Sequence, residues 1–273
     1  MGFFQNLLRI FDASMETPGL YGWFHLLWLG ISIGLAILLV TIQKKTKTEK
    51  MPLRVIFITA VVVTIFEIYK QINFSFSYEN GVAFDYGWGS FPFQFCSTPM
   101  YVGLLVGIFR KGKIHNALAA YLATYAMFAG LCVMAYPGDV FISTIGINIQ
   151  TMICHGSMVT VGIYLLATGY VRVQHKTILK ALPVFCTCAA VAIIMNEIAY
   201  YTGLLNTDYF NMFYFSPHCA PHLPVFSIVQ AAMDAPIIEI IIYIAGFTLA
   251  AYLILLAAIG IKNLSCRKLK IMN

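Results

Sequence analysis

The chain has 273 residues, of which 60% are hydrophobic and only 10% charged, and its formal net charge is +6 at neutral pH. Soluble domains carry roughly 25% charged and about 45–50% apolar residues, so the composition excludes a soluble globular enzyme, a disordered tail and a coiled coil. Its apolar residues gather in blocks of roughly twenty, the length that crosses about 30 Å of hydrocarbon; the basic residues sit in short connectors between the blocks, which excludes nucleic acid as their partner and marks them as determinants of membrane orientation.

Residues 1–19 come first. Phe3, Phe4, Leu7, Leu8 and Phe11 recur at helical spacing, while Asn6, Arg9 and Asp12 interrupt the apolar run. The segment reads as a short amphipathic helix at the membrane surface rather than a signal peptide, and Asn6 replaces the Ser or Thr of a myristoylation signal. Seven apolar blocks follow, at about 20–42, 53–72, 92–109, 116–136, 147–171, 177–201 and 236–262. Together they predict one all-α membrane domain over 20–262, a seven-transmembrane helix bundle, with a basic tail at 263–273. Gly30 and Gly34 in the first block, and Gly103 and Gly107 in the third, have the small-xxx-small spacing of helix packing.

Fifteen of the 17 basic residues lie in four places: Lys44–Arg54, Arg110–Lys113, Arg172–Lys180 and Lys262–Lys270. In a seven-span chain all four fall on one side, which predicts cytoplasmic connectors, an outside N-terminus and a cytoplasmic C-terminus. Of seven cysteines, Cys96, Cys132, Cys154, Cys186 and Cys188 lie within spans, and Cys219 and Cys266 fall on opposite sides. No disulfide framework is implied. Residues His218, Cys219 and His222 sit close together in the outer loop with Asn211 and the aromatics Tyr209, Phe210, Phe213, Tyr214 and Phe215. Three ligands separated by prolines match a zinc site poorly, and neither a metal nor another cofactor is expected.

Ionisable and polar groups within spans are costly and therefore mark function. His25, Glu67, Cys96, His155, Asn196, Glu197 and Glu239 come from six different spans, yet alternating topology puts each roughly 5–12 Å below the outer surface. A shared layer predicts a polar chamber in the outer half of the membrane, whereas groups bonded only between helices would have no common depth. Cys96 and His155 are the candidate catalytic pair, a thiol nucleophile and its base. Glu67 and Lys70, three apart, are expected to pair as ions, and Gln150 lies close enough in sequence to His155 to face the same space.

These residues resemble a family. Phe93-Gln94-Phe95-Cys96-Ser97 resembles the Leu-His-Leu-Cys signature of the bacterial YwaF-like integral membrane proteins, with Gln94 where the family has histidine. Tyr136-Pro137-Gly138-Asp139 resembles their proline–aspartate turn and Cys154-His155-Gly156 their Ser-His-Gly. His25, Glu67 and Asn196 stand where the family carries the same residue types, and Asn211-Met212-Phe213-Tyr214 resembles its aromatic loop; Glu239 has no counterpart. The likeness runs from about 20 to about 245. Such proteins are similar to a eukaryotic transmembrane acyltransferase that forms polyunsaturated ether phospholipids through a cysteine and a histidine, which map onto Cys96 and His155. Membrane hydrolases with a threonine–histidine pair share the broad architecture.

Two functions compete. The first is lipid acyl transfer: Cys96 takes an acyl group from a membrane phospholipid, His155 acts as base, a lysophospholipid accepts, and Asn196 or Gln150 donates to the oxyanion. His25 and Glu67 would tune the imidazole, and the setting would be a bacterial plasma membrane. The second is a non-enzymatic protein that binds or transports a lipid or small molecule. The last span has no lysine for a retinal Schiff base, and the apolar inner half disfavours a transport path.

Overall fold

A computed structural model describes residues 2–77, 81–204, 210–219, 226–232 and 235–271. Helices α1 (Phe3–Phe11), α2 (Trp23–Thr46) and α3 (Met51–Ser75) open the chain. A small antiparallel hairpin follows, β1 (Phe76–Ser77) on β2 (Ala83–Phe84), with Phe76 opposite Phe84. Next come α4 (Thr98–Ile108), α5 (Gly112–Ala135), α6 (Ile145–Ala167) and α7 (Lys176–Tyr201). The last two are α8 (Phe226–Ala232) and α9 (Pro236–Ile271).

Six of these helices are long and apolar enough to span a membrane: α2, α3, α5, α6, α7 and α9. The seventh expected block differs. Only 11 residues of 92–109 are helical, about 16 Å of rise. Two prolines explain this. Pro99 occupies the first turn of α4, where its missing N–H costs nothing, but further inside a helix its ring would collide with a preceding carbonyl. Pro92 holds Phe91 in an extended conformation (φ −48°, ψ 134°). Residues 91–97 therefore enter the bundle as an irregular strap, and Cys96 lies in the turn before α4 rather than inside a first helical turn.

Helices α5 and α6 form the centre. About three quarters of their apolar windows is buried (72% and 78%), against 17–28% for the other four. The surrounding α2, α3, α7 and α9 present Leu27, Ile37, Ile65, Ile194 and Leu253 outward, as a lipid-facing surface requires. The central position of α6 explains how it carries Asn148, Gln150, Thr151, His155 and Thr160, all buried: its neighbours are protein, not hydrocarbon. Helix α5 contains one π turn, Leu122–Ala126, a form that recurs at functional sites.

Close approach depends on glycine at the expected places, with one exception. A Cβ on Gly103 would stand 2.8 Å from that of Ala60, and one on Gly156 would run into Ser32 Oγ. Gly30 and Gly34, by contrast, have nothing within reach of an added Cβ, so that spacing packs no other helix among the described residues. The correction follows from the outer position of α2, whose exposed face turns away from the bundle.

The ends of the bundle are distinct. At one, the ends of α2 and α6 meet residues 254–265 of α9 around Lys44, Arg172 and Lys262. His115 joins Phe109 O (2.8 Å) to Tyr170 Oη (2.7 Å) there, bringing in the α4–α5 connector. All four basic connectors thus share an end. At the other, Tyr69 Oη donates to Phe11 O, and Met15 N–H to Ser143 O. Gln94 donates to Asn211 O and accepts from Phe213 N–H (2.8 and 2.9 Å).

Candidate functional site

The site is built around Glu67, late in α3 and buried. Its Oε1 accepts from Lys70 Nζ (2.7 Å) and Gln71 Nε2 (2.8 Å), and its Oε2 from Gln150 Nε2 of α6 (3.4 Å). A buried carboxylate needs such partners to stay ionised. Gln71 also donates to Ser90 O (2.8 Å) and accepts from Tyr86 Oη (2.6 Å). Burial, and then the charge of Glu67, raise the Tyr86 phenol above its ordinary range, which keeps it a donor.

Lys70 joins this network through Glu67, and its side chain is 16% exposed. The Cys154 sulfur points at the carbonyl oxygen of Cys96, 3.7 Å away, so α6 and the 91–97 strap touch at this level. His155 sets its Nδ1 2.8 Å from Thr151 O. A carbonyl only accepts, so Nδ1 carries the proton and the neutral ring keeps its lone pair on Nε2. The imidazole is thus held in the tautomer of a general base. Cys96 and His155 themselves share no hydrogen bond.

Two spaces adjoin these groups. Beneath Cys96 is a cavity of about 30 Å³ bounded by Val63, Met100, Ala126, Cys154 and Met158, with room for a water or two but not for an acyl chain. Beside it, between α3, the hairpin and α4, a groove of about 450 Å³ is lined by Glu67, Gln71, Ser75, Tyr86 and Tyr101. Met100 borders both. Ser75 Oγ is the one buried side-chain N or O atom among the described residues that lacks a hydrogen-bond partner.

Of the polar residues expected to share a chamber, Glu67 and Gln150 bond to each other, and Cys96 meets α6 at Cys154, the residue before His155. The others lie apart. His25 uses both ring nitrogens on backbone, accepting from Tyr21 N–H (3.0 Å) and donating to Met134 O (2.8 Å). Asn196 clamps Met212 through its N–H (2.7 Å) and carbonyl (3.0 Å). Glu197 meets His218 at 3.2 Å, beneath the stacked ring of Tyr200. Glu239 caps α9 by accepting from Ala235 N–H (3.3 Å). Among the described residues no three His, Cys, Asp or Glu side chains converge as a metal site; His222 and Tyr209 lie outside those residues.

Sequence reasoning missed Gln71, Tyr86 and Cys154 as members of this network and read Lys70 only as an ion-pair partner. Gln71 carried a signal, four residues after Glu67. Tyr86 carried none, because a loop has no periodicity to report which way it folds.

Apolar spans around a buried polar centre define a multi-pass integral membrane protein. The chain belongs to the TMEM164 family, whose model matches residues 20–257. No curated protein and no solved structure matches it.

Proposed function

We propose that the protein is a phospholipid acyltransferase that works through an acyl-thioester on Cys96. The observation that carries this reading is the placement of His155: its Nδ1 donates to Thr151 O, which leaves the Nε2 lone pair free, and it follows Cys154, whose thiol points at the Cys96 carbonyl. The Cys96 thiol passes its proton to His155 Nε2, and the thiolate attacks a lipid ester carbonyl. The C–O bond breaks as the C–S bond forms, and the departing lysolipid alkoxide takes the proton from the imidazolium. A second lysophospholipid hydroxyl then gives its proton to His155 and attacks the thioester, releasing the Cys96 thiolate, which is reprotonated. The remaining donors of Gln150 or of Lys70 suit the oxyanion.

Geometry supports a route for the substrate. The groove between α3, the hairpin and α4 is open, and Met100, a flexible side chain, lines both it and the cavity at Cys96. Ser75 Oγ offers an unused polar atom to a headgroup or ester oxygen. Cys96 must turn toward His155 for the first proton transfer, since the two are not bonded at rest. That gap favours the second reading, a protein that binds a lipid in the groove without transforming it.

The basic ends support seven crossings, with 91–108 as the third, an outside N-terminus and cytoplasmic connectors. The likeness to YwaF-like proteins supports a bacterial plasma membrane.

The test is the intact mass of detergent-purified protein after incubation with mixed phospholipids. A hydroxylamine-labile gain of one fatty acyl chain is expected in the parent and in Cys154→Ala, larger in His155→Ala if the second step slows more, and absent in Cys96→Ala. No adduct in any of the four, with all folded, overturns acyl transfer and leaves the binding reading.

A further inference from the structure

The end of the bundle opposite Cys96 holds the largest groove described, about 950 Å³, at the upper end of the range for ligand sites. Residues of α5, α6, the α6–α7 connector and α9 line it, with Lys44 the one lining residue from α2. Its polarity is graded along the helices. On α9 the lining runs from Ile254 through Ala257 and Ala258 to Lys262 and Ser265; on α6 it runs from Ile163 through Leu166 to Thr168. Met127 and Leu131 continue the apolar end. From Ile254 to Lys262 the groove extends roughly 12 Å along the helix.

Three cations stand at the polar end: Lys44 from α2, Arg172 from the α6–α7 connector and Lys262 from α9. They come from elements far apart in sequence, so local composition does not account for their meeting. No acidic residue is among those lining the groove, and neither of the ion pairs among the described residues involves them. The arrangement is therefore an uncompensated positive rim above an apolar trough that runs along the direction in which acyl chains lie. A soluble anion would use the rim and leave the trough unfilled; a zwitterionic lipid would fill the trough but set a cation near the rim.

We infer that this groove is a binding site for one anionic phospholipid, its phosphate held by Lys44, Arg172 and Lys262 and an acyl chain laid between α2 and α9. Basic pockets between membrane helices bind such headgroups. The site lies at the other end from Cys96 and does not depend on any chemistry there.

Native mass spectrometry of the detergent-purified full chain tests it, with phosphatidylglycerol and phosphatidylcholine added separately. Phosphatidylglycerol should bind with one-to-one saturation, and phosphatidylcholine far more weakly. The triple variant Lys44→Gln, Arg172→Gln, Lys262→Gln should lose affinity for phosphatidylglycerol on the order of a hundredfold. A control with the same charge change at the same end, Lys50→Gln, Lys111→Gln, Lys113→Gln, should bind as the parent does. Ala257→Phe, which fills the trough from an exposed wall position and keeps every charge, should also lose binding. Equal losses in the two triple variants would mean diffuse surface charge and overturn the site. So would parental binding by the groove triple variant or by Ala257→Phe. Competition by glycerol 3-phosphate at concentrations equal to the lipid would show a headgroup site without chain recognition, and would overturn the lipid assignment. Thermal unfolding of each variant identifies any loss that is merely misfolding. Ala257→Phe and the groove triple variant would misfold by different routes, so either one, if folded, decides between the site and its absence.

Discussion

At the scale of single residues, depth was legible and direction was not. Counting along alternating spans placed Glu67, Cys96, His155, His25, Asn196 and Glu239 in one layer, but a layer has no azimuth. Side chains at equal depth on different helices meet only if their faces turn inward together, which a sequence without contacts cannot report. Glu67 and Gln150 turn toward each other; His25, Asn196 and Glu239 turn to backbone. The Glu67–Lys70 pair tests whether the first group is more than fastening. Lys70→Met leaves a buried carboxylate supported only by amides, and unfolding in detergent should come at lower temperature, by about 3–5 kcal/mol. Adding Glu67→Gln removes the stranded charge and should restore most of that loss. A double variant no more stable than Lys70→Met would show that the stranded Glu67 charge is not what destabilises it.

Elements were easier to find than to bound. Five long apolar runs and the α9 run became helices because each has a lipid-facing or core-facing surface and no interior break, except Pro183, which α7 accommodates. The third run failed as a single helix at Pro99, for the steric reason that also starts α4 there. Packing between elements turned on glycines whose neighbours the sequence does not name. Gly130 of α5 is one: a Cβ there would stand 2.6 Å from the carbonyl oxygen of His155 and 2.8 Å from Met158 Cβ. The first contact is backbone in the central helix and cannot swing aside. Gly130→Ala should therefore cost about 1–3 kcal/mol, seen as a lower unfolding temperature, whereas Gly30→Ala on the open face of α2 should be neutral or slightly stabilising. Equal responses at the two glycines would contradict the α5–α6 contact. The 211–215 loop offers a second case. Phe213 is fully buried with φ of +61°, a conformation disfavoured for an aromatic residue. It is held by Gln94, by Tyr243 Oη on its carbonyl (3.0 Å) and by Asn196 on the preceding residue. Asn196→Ala strands two buried backbone groups and should cost about 1–3 kcal/mol. Combined with Gln94→Ala the losses should fall short of additive in thermal unfolding, since both act on one loop.

For the molecule as a whole, the distribution of charge and the path of the chain make the same statement by independent routes. The basic residues cluster in four connectors by sequence, and those connectors gather at one end of the bundle through contacts such as His115 with Tyr170. If 91–108 did not cross, Arg110–Lys113 and Arg172–Lys180 would both be separated from Lys44–Arg54 by one net traverse, and the hydrogen bond from Tyr164 Oη near the end of α6 to Gln43 Oε1 near the end of α2 (3.1 Å) would have to span the bilayer. The 11-residue α4 is too short to cross alone, so a crossing there would need the strap at 91–97 as its other half. Non-helical backbone at membrane depth is tolerated only where protein covers it, and the strap touches α6 through the Cys96 carbonyl, α7 through Phe95 and the 211–215 loop through Gln94. The topology of this one segment therefore decides both the orientation and whether Cys96 sits inside the membrane. Compartment-sensitive reporters fused after Lys113, after Lys176 and at the C-terminus should all report cytoplasm, and those after Gly138 and Thr202 the outside. A path of six crossings predicts instead that Lys113 and Lys176 report the side opposite to a fusion after Lys47, with Gly138 on the side of Lys47. That exchange would place the four basic connectors on two sides, and would remove both the shared anionic-lipid groove and the outer-half setting of Cys96 in a single result.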